Sequence, residues 1–183
     1  MKMIQLKALV IYGTRGGATK KIADEIGTVF DGQGFAVTVR NANDTRGIDV
    51  NVFDLIVVGS SVWATRWKWQ ATRFLKRNAK KLARKKVALF TSGLLGGDPA
   101  KTDEARKSIE KQAAKFPGIR PLGLAYFGGF IDFRNPGFFV KPVAGAMKKD
   151  MEKKGIEAGL SYDTRDFPAI RQWAADMATK AKA

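Results

Sequence analysis

Thr14, Gly16, Gly17 and Thr19 are the residues whose types and spacing carry most chemistry in this chain. They lie in Val10-Ile11-Tyr12-Gly13-Thr14-Arg15-Gly16-Gly17-Ala18-Thr19, between an apolar run and an amphipathic segment. Glycines let a backbone turn sharply and come close to a ligand. The two threonine hydroxyls and the first free N–H groups of a following helix point into the same turn. Such donors, with the positive end of the helix dipole, favour an anion, so the stretch predicts a phosphate cradle. Two common cradles are excluded by spacing. A dinucleotide fingerprint needs Gly-x-Gly-x-x-Gly, and here Gly13-x-x-Gly16-Gly17 stands instead. A nucleotide P-loop needs a glycine followed by Lys and Ser or Thr where this chain has Ala18-Thr19.

Elements that would position this turn follow from periodicity. Ala8 to Tyr12 is a continuous apolar run, as in a strand buried on both faces of a parallel sheet. Ile22, Ile26, Val29 and Phe30 make one helical stripe. Phe35 to Arg40 alternates as a second strand, 41–51 is a polar loop, and Leu55 to Gly59 reads as a third strand. Ala71, Phe74, Leu75 and Leu82 mark a second helix, and Val87 to Phe90 a fourth strand. Asp98-Pro99 predicts the start of a third helix that Pro117-Gly118 stops. Leu122 to Phe130 reads as a fifth strand. Alternating strands and helices predict one α/β domain, a doubly wound five-stranded parallel sheet with helices on both faces. Ligands of such sheets bind beyond the C-terminal strand ends, here the loops 13–19, 60–67 and 91–97. An extra segment, Ile131 to Asp163, precedes a closing helix near 167–180, for which Asp166 is the expected cap.

Composition narrows the chemistry. With no cysteine and no histidine among 183 residues, disulfides, thiolate nucleophiles and the commonest general base are all excluded. An enzyme built this way would rely on a bound cofactor. No run of eighteen apolar residues occurs, and cytoplasmic residence is the expectation. There are 33 basic and 17 acidic residues, a formal charge of +16. A field of that size attracts an anionic partner. From Arg66 to Lys86 every charged residue is basic. A nucleic-acid partner lacks any recognition-helix, RNP or OB pattern to support it. The basic amphipathic segment 138–154, headed by Phe138 and Phe139, suits an anionic membrane surface, its own domain or a second copy of the chain.

The string from Val10 to Ile26 resembles the flavodoxin signature: Val10, Ile11, Tyr12, Thr14, Gly17, Thr19, Ala23 and Ile26 occupy its slots. The resemblance implies FMN, with its phosphate held by Thr14, Arg15, Gly16, Gly17, Ala18 and Thr19. Ser60, Ser61, Val62, Trp63 and Ala64 would then wall the flavin ring, with Trp63 or Trp67 as the stacking aromatic. Ser92, Gly93, Leu94, Leu95 and Gly96 would line its other side, Gly93 offering its N–H.

Taken with Val58-Gly59-Ser60-Ser61-Val62, the extra segment and Tyr162-Asp163-Thr164-Arg165-Asp166, the chain resembles the menaquinone-dependent protoporphyrinogen IX dehydrogenases. That resemblance implies an FMN-dependent, quinone-linked dehydrogenation in haem biosynthesis. Its substrate would be a tetrapyrrole with acidic propionate arms, and its acceptor a quinone at the inner face of the cell membrane. Arg66, Lys68 and Arg134 are the candidates for pairing with propionates, on charge and location. Ala64-Thr65 stand where family members carry Tyr-Gly, so the stacking aromatic is displaced or missing. The other readings are a flavodoxin-type FMN electron carrier with no substrate of its own, and an interaction protein that kept the fold without the flavin. Standard flavodoxins are acidic, which the +16 charge opposes.

Overall fold

The computed structural model describes residues 5–63, 66–97, 99–136, 141–153, 155, 157 and 159–183. Strands β1 (Lys7–Gly13), β2 (Ala36–Asn41), β3 (Leu55–Trp63), β5 (Lys86–Ser92) and β6 (Pro121–Phe127) form a parallel sheet in the order β2-β1-β3-β5-β6. A two-residue strand, β4 (Arg66–Trp67), pairs antiparallel with the end of β3. Side chains alternate across the central strands. Ala8, Val10 and Tyr12 of β1 enter one core with α1 (Ala18–Gly32) and α5 (Phe167–Lys182). Leu9 and Ile11 enter the other, with α2 (Trp69–Leu82) and α3 (Thr102–Ala113). A strand with apolar cores on both faces must read as a continuous apolar run, which is how β1, β3 and β5 appear in the sequence.

The sheet order positions the site. Strands β1, β3 and β5 are neighbours, and their register aligns Gly13 with Ser60 and Ser61 with Ser92. Three glycine- or hydroxyl-bearing loops, distant in sequence, therefore leave one edge of the sheet side by side.

Several boundaries differ from the sequence expectation. The third strand runs four residues past Gly59, to Trp63, because it turns back as a hairpin onto β4. The third helix begins at Thr102 after a short 3₁₀ turn at Pro99–Lys101, and Lys101 caps it without a side-chain bond; Asp98 lies outside the described residues. The expected fifth strand is broken. β6 ends at Phe127, and β7 (Phe130–Asp132) pairs instead with β8 (Ser161–Asp163). The break falls at Gly128, which packs so close to Thr164 that a Cβ there would run into the Thr164 carbonyl oxygen. Thr164 locks the junction, its N–H donating to the Gly129 carbonyl at 2.9 Å and its hydroxyl accepting from the Gly129 N–H at 3.0 Å. Asp166 caps α5 as expected, accepting from the Ala169 N–H at 2.9 Å.

Arg165 explains why the Tyr162–Asp166 stretch is so polar beside a core. Its guanidinium lies 5.0 Å from the Phe130 ring centre and 5.3 Å from that of Phe167, and its Nε donates to Asp163 at 2.8 Å. The pairing holds the Asp163 carboxyl below its ordinary pKa, the hydrogen bond from Arg165 being the largest cause. Arg165 is thus a clamp between β7, β8 and α5. Arg165→Ala is expected to cost about 2–3 kcal/mol in urea unfolding, from lost cation–ring contact and charge-assisted bonds. A loss within 0.5 kcal/mol would refute the clamp.

Within the extra segment, α4 (Lys141–Lys153) has Ala144 and Met151 buried, while Lys141, Lys148, Lys149 and Lys153 are exposed. Phe138, Phe139, Val140 and Lys154 lie outside the described residues. Among the described residues no helix is long and apolar enough to cross a membrane.

Candidate functional site

At the shared sheet edge the turn after β1 builds an anion seat from backbone. Gly17 caps α1 in the left-handed region, φ +83°, a conformation that glycine enters without strain. Its N–H donates to the Thr14 hydroxyl at 2.9 Å, which closes the turn. The next N–H groups, those of Ala18 and Thr19, are first-turn donors without an intrahelical partner. No acidic residue sits in the first turn of α1 to neutralise the helix end. Arg15 adds a cation at the rim: its Nη1 donates to the Ser61 carbonyl at 3.2 Å and to the Ser61 hydroxyl at 3.3 Å. Partial burial lowers the Arg15 pKa, yet a guanidinium stays charged at neutral pH. This donor set, with one fixed cation and no competing carboxylate in the helix turn, fits a phosphate monoester.

Above the seat lies a cleft of about 180 Å3. Thr14, Arg15, Gly16, Ala18 and Thr19 line its floor, Ser61 and Val62 one wall, and Ser92, Gly93 and Leu94 the opposite wall. The structure brings these predicted residues together. Several hydroxyls are, however, occupied in holding the loops to one another. Thr19 Oγ1 and Ser92 Oγ are hydrogen-bonded at 2.8 Å and buried. The Ser60 hydroxyl lies behind the cleft, donating to the Ser61 carbonyl and accepting from the Lys68 N–H at 2.9 Å. The Gly93 N–H, expected to face the ring, donates to the Phe127 carbonyl at 3.1 Å. Leu95 turns toward a neighbouring cavity with Ala105, Ile109 and Tyr126, and Gly96 lies in the 3₁₀ turn Leu94–Gly97.

Trp67 is not a wall of the cleft. It is buried, and its Nε1 donates to the Thr91 hydroxyl at 2.8 Å, so it pins the hairpin from below. The Trp63 side chain and Ala64 lie outside what is described. Among the proposed substrate residues, Arg66 is exposed on β4 and Lys68 is half-buried at the start of α2. Arg134 is committed elsewhere: it grips Asp132 through Nε at 3.0 Å and Nη2 at 2.9 Å. That grip pulls the Asp132 carboxyl down to about 2, so the pair carries no net charge at neutral pH.

Sequence reasoning missed a wall. Gly129 to Asp132, with Asn135 and Pro136, closes the cleft on the β6 side. Reading 122–130 as one strand carried those residues away from the site, whereas the Gly128-Gly129 doublet was the available sign of a break.

In the neighbouring cavity, of about 340 Å3, the Tyr126 hydroxyl is buried and has no hydrogen-bond partner among the described residues. Desolvation first, and Glu104 second, push its pKa up to about 12. A raised phenol favours folding fully below pH 10 and loses that contribution as pH climbs through 12. Stability is therefore expected to fall by roughly 1–2 kcal/mol between those values, after discounting for solvent screening. Tyr126→Phe should remove this slope in alkaline urea titrations; an unchanged slope would contradict the assignment.

The model of the Flavodoxin domain family matches residues 9–156. The chain is 22% identical over 128 residues to the Escherichia coli (strain K12) protein named protoporphyrinogen IX dehydrogenase [quinone], covering 70% of this chain and 71% of that one. Two solved structures share the fold. One is a flavodoxin from the domain Archaea, with TM-score 0.56, 18% identity and coverage of 97% and 100%. The other is a short-chain flavodoxin associated with a bacterial microcompartment, with TM-score 0.59, 14% identity and coverage of 96% and 99%. The 2-1-3-5-6 parallel sheet with helices on both faces is the fold shared with these structures. The chain belongs to the flavodoxin-domain family, whose cofactor is FMN.

Proposed function

We propose that this protein is an FMN-dependent, quinone-linked dehydrogenase acting on an anionic tetrapyrrole of the protoporphyrinogen type. The observation that carries the reading is the cleft itself, in a chain related over 128 residues to a protein named for that reaction. Bound FMN supplies a centre that accepts two electrons from substrate and passes them to a quinone. The chain's residues do the rest by binding and orientation. Ala18 and Thr19 would aim backbone donors at the phosphate, Gly16 and Gly17 would shape the turn, and Arg15 ties that seat to the ring wall at Ser61. Val62 and Leu94 present apolar surface for the ring from opposite sides. Arg66, exposed on β4, and Lys68 are the cations available to a substrate carboxylate, since Arg134 is held by Asp132.

A formal charge of +16 and the exposed α4 lysines support a seat at an anionic membrane face, where a quinone is met. Because Ala144 and Met151 are buried, the lysines rather than the apolar stripe would make that contact.

The test is anaerobic reduction of the FMN-loaded protein followed by rapid mixing with a soluble menaquinone analogue. Full two-electron reoxidation within seconds, and turnover of protoporphyrinogen IX under the same conditions, is the expected result. A reduced protein that ignores quinone but passes single electrons to a protein acceptor would replace the dehydrogenase with a carrier.

A further inference from the structure

Another cavity shares no lining residue with the flavin cleft. It is a groove of about 530 Å3 between α2 and the loop 42–48, within the range of small-molecule sites. Its helix wall is a single stripe: Trp69, Arg73, Arg77 and Lys81 recur every fourth residue, about 6 Å apart along the axis. Arg46 faces them from the loop, with Asn43 beside it.

Two features separate this groove from a merely solvated basic face. First, the charge is unbalanced: Lys81 meets Asp49 at 3.4 Å, but Arg46, Arg73 and Arg77 have no acidic partner among the described residues. Second, Trp69 is 61% exposed at the head of the stripe, which is costly for an indole with nothing to cover it. Arg73 lies 5.7 Å from its ring centre and helps hold it in place. An aromatic platform and unpaired guanidinium groups are complementary to one ligand chemistry.

We propose that the groove between α2 and loop 42–48 binds a planar aromatic polyanion, its ring on Trp69 and its carboxylate or phosphate groups on Arg46, Arg77 and Lys81. This does not depend on the dehydrogenase reading, because the groove and the flavin cleft use separate residues. Its position is suggestive all the same: Trp69 follows directly on the β3–β4 hairpin that walls the cleft, so occupancy of the groove adjoins the ring site.

The test uses the full chain loaded with one equivalent of FMN and freed of excess, so that FMN fills the cleft without competing for the groove. ATP and pyrenetetracarboxylate are titrated separately by calorimetry, at low and at raised salt. Binding of ATP alone identifies phosphate as the recognised group, and binding of pyrenetetracarboxylate alone identifies carboxylate. Either should be one-to-one, should weaken at least fivefold as salt rises, and should weaken at least tenfold in Arg46→Ala/Arg77→Ala and in Trp69→Ala. The flavin absorbance of those variants reports that fold and cleft are intact. The proposal is overturned if neither probe binds below millimolar concentration. It is equally overturned if binding is indifferent to all three substitutions while the flavin spectrum is unchanged.

Discussion

Gly17→Val is expected to yield a folded protein whose FMN affinity is lower by about two orders of magnitude, or ~2.7 kcal/mol. At φ +83° a β-branched residue is strained by about 1–3 kcal/mol, so the backbone would leave the left-handed region. The Gly17 N–H then loses Thr14, and the donors of Ala18 and Thr19 no longer converge on one point. The loss would be specific to the seat. Gly34 also has positive φ, +87°, but lies after the far end of α1, away from the cleft. Gly34→Val should therefore cost similar stability in urea and leave the FMN dissociation constant within twofold. Equal FMN losses in both variants would mean that the effect is global instability and not the cradle.

The second large effect concerns stability. Gly128→Ala sets a Cβ against the Thr164 carbonyl oxygen, a backbone atom that cannot swing aside as a side chain does. Overpacking of this kind costs about 3 kcal/mol or more. The strain falls on the Gly129–Thr164 bonds, so the β7–β8 pair should shift together with Gly129 to Asp132 of the cleft wall. Thermal unfolding should come several degrees earlier, and FMN should be held more weakly because one wall has moved. A variant with unchanged melting temperature would show that the junction yields easily.

How far the sequence reveals this protein depends on the range of the forces involved. Strands β1, β3 and β5 announce themselves because burial on both faces leaves no polar position in the run. The turn 13–19 is equally plain, since a glycine in the left-handed region and a helix start are local properties. Interactions between distant segments are hidden. Nothing around Ser60 shows that its hydroxyl is taken by the Lys68 N–H, or that Trp67 reaches Thr91. Arg134 looks like a free cation until Asp132, two residues away, turns toward it. The basic run from Arg66 to Lys86 reads as uniform, yet its members diverge in three dimensions. Lys85 donates to the Asn51 and Phe53 carbonyls and Lys86 to that of Ala181, while Arg73 and Arg77 line a groove. Periodicity identifies a face; the loop that faces it comes from the fold.

The most direct measurement is a paired titration of the protein with FMN and with riboflavin, followed by flavin fluorescence. The two ligands share the ring and differ by the phosphate, so the comparison isolates the seat formed by Gly16, Gly17, Ala18 and Thr19. FMN should bind one-to-one and riboflavin at least a hundredfold more weakly. Equal affinities would contradict the phosphate cradle and with it the whole assignment of the cleft.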